Sequence, residues 1–277
     1  MPSPTQQDRR PHAPRSVLVA DAGRAREGSE ASGGSQPFDD VALRERQSGI
    51  SEALDDLASA LRAYDRLARR LLRDPESRAL EVWRASLGAP ADAGTGGDGA
   101  DVYGAGPEGD TKRAGGATVM RQAEAAIVGL ADEDGADVAE DLLARGLVRP
   151  GGLLYACILD ETNGDAAGRH ADILEDSCEG AGLTWAGGLV IPASALVPNL
   201  LAHPRMGALR RPISETADDL VAAVRSGLTV PEAARRFSWP AGEVLEGRDD
   251  LLVVRPTTLS RALAALVRRQ ERYLRSR

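Results

Sequence analysis

Apolar residues recur at alternating spacings of four and three over Ile50, Leu54, Leu57, Leu61, Tyr64, Ala68 and Leu71. At 3.6 residues per turn this places one stripe along a helix, with Ser48 or Ser51 as its cap and Pro75 as its break. A second, shorter helix is expected over Glu76–Leu87, carrying Leu80, Val82, Trp83 and Leu87. Residues 49–88 thus read as a helical hairpin. Three heptads are too few for an extended coiled coil, so the stripe is expected to dock on a neighbouring domain, with self-association as the alternative.

Past Ala117 the pattern changes to short apolar runs alternating with amphipathic stretches. The runs are Ala125–Leu130 (AAIVGL), Leu153–Leu159 (LLYACIL), Gly188–Ile191 (GLVI) and Leu251–Val254. Between them, Val138–Leu147, Arg169–Gly180 and Ser214–Ser226 read as helices, with Pro150-Gly151-Gly152 as punctuation and Ser214 as a cap. Leu259–Arg277 reads as a last helix. A continuous apolar run of strand length is what a parallel strand needs when both of its faces are covered. Strands alternating with helices over short connections imply right-handed βαβ units in a three-layer α/β domain over 117–277. In such sheets ligands bind at the carboxyl ends of the strands, which directs attention to the loops Ala131–Asp137 and Asp160–Gly168.

The flanking segments read differently. Residues 1–48 are Pro, Gly, Ser and charge around one apolar run, Ser16–Ala20, and are expected to form a mostly disordered arm; 89–116 reads as a Gly-rich linker. Only 42% of the chain is hydrophobic and 3% aromatic, in keeping with a length that does not all pack. The net charge of -8 argues against wholesale binding to nucleic acid or an anionic membrane. No run approaches the roughly 18 apolar residues that span a bilayer. Met1–Arg15 lacks the apolar stretch of a secretory signal. Cys157 and Cys178 cannot build a disulfide scaffold, and no cysteine or histidine has zinc spacing. The expectation is a cytoplasmic protein with reduced thiols and no membrane partner.

Leu154–Gly188 reads LYACILDETNGDAAGRHADILEDSCEGAGLTWAGG. Tyr155-Ala156, Cys178, Ala181-Gly182-Leu183, Trp185 and Gly187-Gly188 stand in the order found in one branch of the flavodoxin-like NAD(P)H-dependent FMN reductases, and the stretch resembles that family. The likeness extends over roughly Glu124–Gly227. It implies a flavodoxin-like parallel sheet, FMN held between two loops, and hydride passing from NAD(P)H to the flavin and then to a small-molecule electron acceptor. The cofactor-binding positions it implies are Asp132, Asp134 and Gly135 in one loop, and Asp160, Glu161, Thr162, Asn163 and Gly164 in the other. The chemistry it implies belongs to the flavin, and it assigns no residue here a catalytic role.

Several ligand positions of that family differ here. The family's first strand enters a Gly-Ser-Pro-type loop that cradles phosphate at a helix N-terminus. Here SVLVA is followed by DAGRAREGSEASGGS, in which Gly23, Ser29, Ser32 and Ser35 are the available donors. The flavin loop lacks Pro and Tyr, Asp160-Glu161-Thr162-Asn163-Gly164 replaces Gly-aromatic-Glu, and Ile191-Pro192-Ala193-Ser194 replaces a Gly-rich segment. Structural positions are kept and ligand positions are lost. The resemblance therefore implies either a reductase or a degenerate, inactive member of the family.

Other groupings carry alternatives. Asp132, Glu133, Asp134, Asp137, Asp160 and Glu161 form a solvated acidic rim or, if the loops meet, an oxygen site for Mg²⁺ or Ca²⁺. His12, His170 and His203 are scattered, His170 reading as a helix-surface residue. Cys157 within an apolar strand reads as a buried small hydrophobe, and the acidic neighbours of Cys178 argue against a nucleophile. Residues 214–246 resemble a helix-turn-helix, with a turn at Ser238-Trp239-Pro240 and a short acidic second helix AGEVLEGRDD; a DNA-binding or regulatory protein is the alternative function. Arg255–Arg277 carries seven arginines and one glutamate beside a stripe of Leu259, Leu263, Leu266 and Val267. That reads as an amphipathic helix with a basic outer face.

Overall fold

A computed structural model describes residues 12–22, 37–72, 79–87, 122–130, 138–160, 165–192, 207–239 and 244–255. Seven strands form one sheet: β1 (Ser16–Asp21), β2 (Glu81–Ser86), β3 (Ala123–Leu130), β4 (Val148–Asp160), β5 (Thr184–Pro192), β6 (Val244–Leu245) and β7 (Arg248–Val253). Five helices accompany them: α1 (Pro37–Leu72), α2 (Val138–Ala144), α3 (Asp165–Ala181), α4 (Gly207–Ser226) and α5 (Val230–Phe237).

The strands lie in the order β2-β1-β3-β4-β5-β7-β6, parallel throughout except for the antiparallel β6–β7 pair. The architecture is an α/β fold with a mostly parallel sheet. As a whole the order is not the five-strand 2-1-3-4-5 of flavodoxins, because β7 and β6 extend the sheet beyond β5.

Each central strand alternates its side chains between two cores. Val17, Val19, Ile127, Tyr155, Cys157 and Leu189 point to the face covered by α1, α4 and α5. Leu18, Ala20, Val128, Ala156 and Ile158 point to the face covered by α2 and α3. That double burial is why AAIVGL and LLYACIL are apolar at every position rather than at every second one.

Helix α1 fulfils the expected stripe over part of its length. Ile50, Leu54, Leu57 and Leu61 are fully buried, whereas Tyr64, Leu67 and Leu71 are 36%, 50% and 72% exposed. The helix runs antiparallel to the strands. Ile50 and Leu54 lie over Gly129 near the carboxyl end of β3, and Arg62 donates to the Val82 carbonyl (3.0 Å) near the start of β2.

Four expectations are corrected. Residues 1–48 are not a mere arm: Ser16–Asp21 is a sheet strand between β2 and β3, and α1 begins at Pro37. The hairpin over 49–88 is not formed, since Glu81–Ser86 is a parallel strand whose Arg84 pairs with Asp55 of α1. The sheet therefore draws strands from before residue 117. Ser214 is not a cap but lies within α4, which starts at Gly207 and carries Pro212 inside it. Among the described residues the second helix of the expected helix-turn-helix is not formed: Val244–Leu245 and Arg248–Val253 form a hairpin turning at Glu246-Gly247 in its place. Gly247 takes φ 83°, a conformation open to glycine, and tightens that turn.

The punctuation at Pro150-Gly151-Gly152 falls inside β4, at a shift of register between Ala123 and Ala125 of β3. The expected helix Leu259–Arg277 and the 89–116 linker lie outside the described residues.

Candidate functional site

The carboxyl edge of the sheet is where β1, β3, β4 and β5 end, at Asp21, Leu130, Asp160 and Pro192. Chain reversal occurs between β1, which continues toward β2 on one side, and β3, which continues toward β4 on the other. Such a switch point opens a crevice at the strand ends. AAIVGL and LLYACIL, in β3 and β4, are parallel neighbours in register from Ala125↔Leu153 to Leu130↔Ile158.

Of the expected cofactor-binding residues, Asp160 alone is described. Asp132, Asp134, Gly135, Glu161, Thr162, Asn163 and Gly164 lie outside the described residues, as do His203 and most of the acidic rim. The Asp160 side chain is buried, at 3% exposure, and its Oδ2 accepts the Ala167 backbone N–H (3.2 Å) in the first turn of α3. The first N–H groups of a helix have no partner within it and carry the positive end of its dipole. Asp160 thus occupies the position at which α3 would otherwise meet an anionic ligand.

Asp21 is a second carboxylate at this edge, 4% exposed. Its carbonyl accepts from Leu87 N (2.9 Å), and Ala22 N donates to Gly129 O (3.1 Å), so the backbone continues the sheet beyond β1 on both sides. Sequence reading missed Asp21. The available signal was an Asp directly after a five-residue apolar run, the usual end of a buried parallel strand.

The geometry of α1 decides what this edge can hold. Ile50 lies level with Gly129, yet the helix begins at Pro37. At 1.5 Å per residue, its N-terminus stands about 20 Å beyond the end of β1, which is level with Gly129. Phosphate at such an edge is held by loop backbone N–H groups, a helix N-terminus or cationic side chains; the loop 23–36 after β1 lies outside the described residues. The described residues supply instead two buried carboxylates, Asp21 and Asp160. Neither of these two carboxylates, among the described residues, is a group that binds phosphate.

His170, expected on a helix surface, is buried in α3 at 8% exposure. Neither cysteine is poised for chemistry. Burial pushes the Cys157 thiol up to about 12. Burial, and then the Glu175 charge, push Cys178 to about 12. Among the described residues no group of three or more His, Cys, Asp or Glu side chains is arranged to hold a metal ion, and no helix is long and apolar enough to cross a membrane.

Two polar clusters unforeseen in the sequence lie at the opposite edge of the sheet. Tyr155 donates its hydroxyl to the Leu228 carbonyl (2.7 Å) from a fully buried ring, and burial followed by the Glu232 charge raises its phenol. Asp250 accepts from Trp185 Nε1 (2.6 Å) and from both Nε (2.8 Å) and Nη2 (2.6 Å) of Arg248, which also pairs with Asp172 and Glu175 of α3. Burial works to raise the Asp250 carboxyl, but the hydrogen bonds from Arg248 and Trp185 outweigh it and hold the group below its usual value.

A cavity of about 200 Å³ opens between α1, α4 and the carboxyl-terminal part of β5. No protein-family model matches this chain, and no curated protein or solved structure is detectably similar to it.

Proposed function

We propose that this chain is a flavodoxin-type relative of the NAD(P)H-dependent FMN reductases that keeps the frame and has lost the flavin-phosphate site. It would serve as a binding or regulatory module rather than a hydride-transfer enzyme. Three features support the frame. The first five strands run 2-1-3-4-5, a reversal falls between β1 and β3, and the two runs that carry the resemblance are adjacent parallel strands. The observation that supports the loss is the placement of α1, whose N-terminus stands about 20 Å beyond the end of β1, at an edge bearing two buried aspartates. Without bound FMN, NAD(P)H has no acceptor for its hydride, and no small-molecule electron acceptor is reached. Self-association belongs to the same proposal: Tyr64, Leu67 and Leu71, at the exposed end of α1, supply apolar surface for it.

Absorbance and thermal melting of the purified full chain test this reading. The expected result is colourless protein whose Tm moves by less than about 1 °C in millimolar FMN. A ligand at about 100 times its Kd stabilises the native state by about 2.7 kcal/mol, several degrees for a chain of this size. Yellow protein that releases flavin on denaturation, or a shift of that size, would overturn the proposal and restore an FMN-dependent reductase.

A further inference from the structure

The cavity between α1 and α4 exists because small side chains face each other there. Ala53 and Ala60 on α1 and Ala217 on α4 line it, with Leu57 and Ile213 beside them. Leu189 and Ile191 of β5 form its apolar floor, while Asp56 and Asp218 stand at its rim, Asp218 accepting a hydrogen bond from Tyr64. An occupant must be apolar where it enters and cationic where it meets the rim.

The chain carries such a segment, and its described part ends beside the cavity. Val253 pairs with Val190, and Val254 N donates to Val190 O (3.0 Å), so the backbone leaves β7 one strand away from Ile191. From Arg255 the four residues to Leu259 reach at most about 14 Å, enough to arrive over the cavity. Residues 255–277 carry seven arginines against one glutamate, in a chain whose net charge is -8. Leu259, Leu263, Leu266 and Val267 recur at helical spacing.

We propose that the α1–α4 cavity is the docking site of the chain's own C-terminal segment, 259–277, with Leu263 and Leu266 entering between Ala60 and Ala217 and arginines meeting the rim of Asp56 and Asp218. The argument is independent of whether the strand ends bind any ligand.

Hydrogen exchange of the full chain, read by mass spectrometry, tests the proposal. Amides of 259–267 are expected to exchange at least ~100-fold more slowly than a free peptide. The variant L263E/L266E is expected to return them to the free rate. It is also expected to raise exchange at 53–60 and 213–218 by about tenfold while leaving α3 unchanged. Should that variant fail to fold, D56R/D218R reverses the rim charge from the other side and is expected to release the same amides. Free-peptide exchange of 259–267 in the unaltered chain overturns the proposal and leaves the cavity to a separate partner. So does release of the segment with no change at 53–60 and 213–218. A change confined to α3 also overturns it and places the segment on the opposite face of the sheet.

Discussion

Gly129 is the position where the closeness of α1 to the sheet can be measured. A Cβ added there would lie 2.6 Å from Leu54 Cδ1, 2.8 Å from Ile50 Cγ1 and 3.1 Å from Leu54 Cγ. Contacts under 3 Å are not tolerated. Neither leucine nor isoleucine can swing aside, because both are fully buried and the same helix is held by Leu57 and Leu61. Overfilling a packed core costs about 1–3 kcal/mol, and removing a strand glycine returns about 0.5 kcal/mol of chain entropy. Gly129→Ala is thus expected to destabilise by about 0.5–2.5 kcal/mol net, a fall in Tm of roughly 1–10 °C. Gly168→Ala, in α3 where an added Cβ meets nothing within 4 Å, is the control. There the same chemical change is expected to stabilise by about 0.5–1 kcal/mol through helix propensity alone. Denaturant unfolding followed by circular dichroism reads both. Leu54→Ala alone is expected to cost about 2–5 kcal/mol. Combined with Gly129→Ala it should cost at least about 1 kcal/mol less than the sum, because the new methyl enters the space vacated by Leu54. A neutral Gly129→Ala, or strict additivity in the pair, would refute the account of how α1 is seated.

Other consequences are equally direct. Tyr155→Phe strands the buried Leu228 carbonyl and is expected to lower stability by about 1–2 kcal/mol in denaturant unfolding, an effect absent if water replaces the hydroxyl. Asp250→Asn keeps an acceptor for Trp185 but discharges the partner of Arg248, at an expected cost of about 1–2 kcal/mol at pH 7. The folded Asp250 carboxyl titrates below its unfolded value of about 3.9, so its contribution is complete above that value and is lost as pH falls through the folded one. Melts from pH 7 to 2.5 should therefore converge for wild type and Asp250→Asn at the acid end, and parallel curves would contradict this. With both thiols raised to about 12 by burial, native protein at pH 8 should leave Cys157 and Cys178 unlabelled by a thiol reagent until it is unfolded; rapid labelling of either would show that its site opens.

What the sequence conveyed follows burial. β3, β4 and β5 are covered on both faces, so their runs are apolar throughout and stand out from the helices between them. β2 is an edge strand. Its Arg84 reaches back to Asp55 and Ser51 of α1, so EVWRAS looks mixed, and with Leu80 and Leu87 on either side it passes for helix. β1 is as buried as its neighbours, but six residues between two Pro- and Gly-rich stretches were outweighed by their surroundings. The β6–β7 turn was hard to read, since Glu246-Gly247 is not one of the Asn-Gly or Asp-Gly pairs that favour a two-residue hairpin and Gly247 alone of the two takes a positive φ. The candidate site was the least legible part. The strand order that creates a switch point depends on β1, and the direction of the Asp160 side chain depends on where α3 begins.

The residues that carry the resemblance to FMN reductases explain why it speaks to frame rather than ligand. Gly182, at φ 75°, ends α3, with Leu183 N reaching back to Cys178 O (2.9 Å), a closure that favours glycine. Cys178 is buried on the inner side of that helix. Gly187, at φ 103°, lies against the Asp250 carbonyl and Val230, where a Cβ would approach to 2.3 Å and 2.9 Å. Gly188 lies against the Ala156 carbonyl, where a Cβ would come within 2.8 Å, so the spacing of β4 and β5 depends on it. Tyr155 and Trp185 each donate one hydrogen bond that fixes the α4–α5 link and β7 to the sheet. Each of these side chains is required by close backbone approach or by a buried donor, whatever the strand ends bind. On the proposed reading, a sequence that retained the fold and lost its flavin would keep this set and change the loops. The flavin-binding test and the Gly129 series therefore probe separate things, and failure of one leaves the other standing.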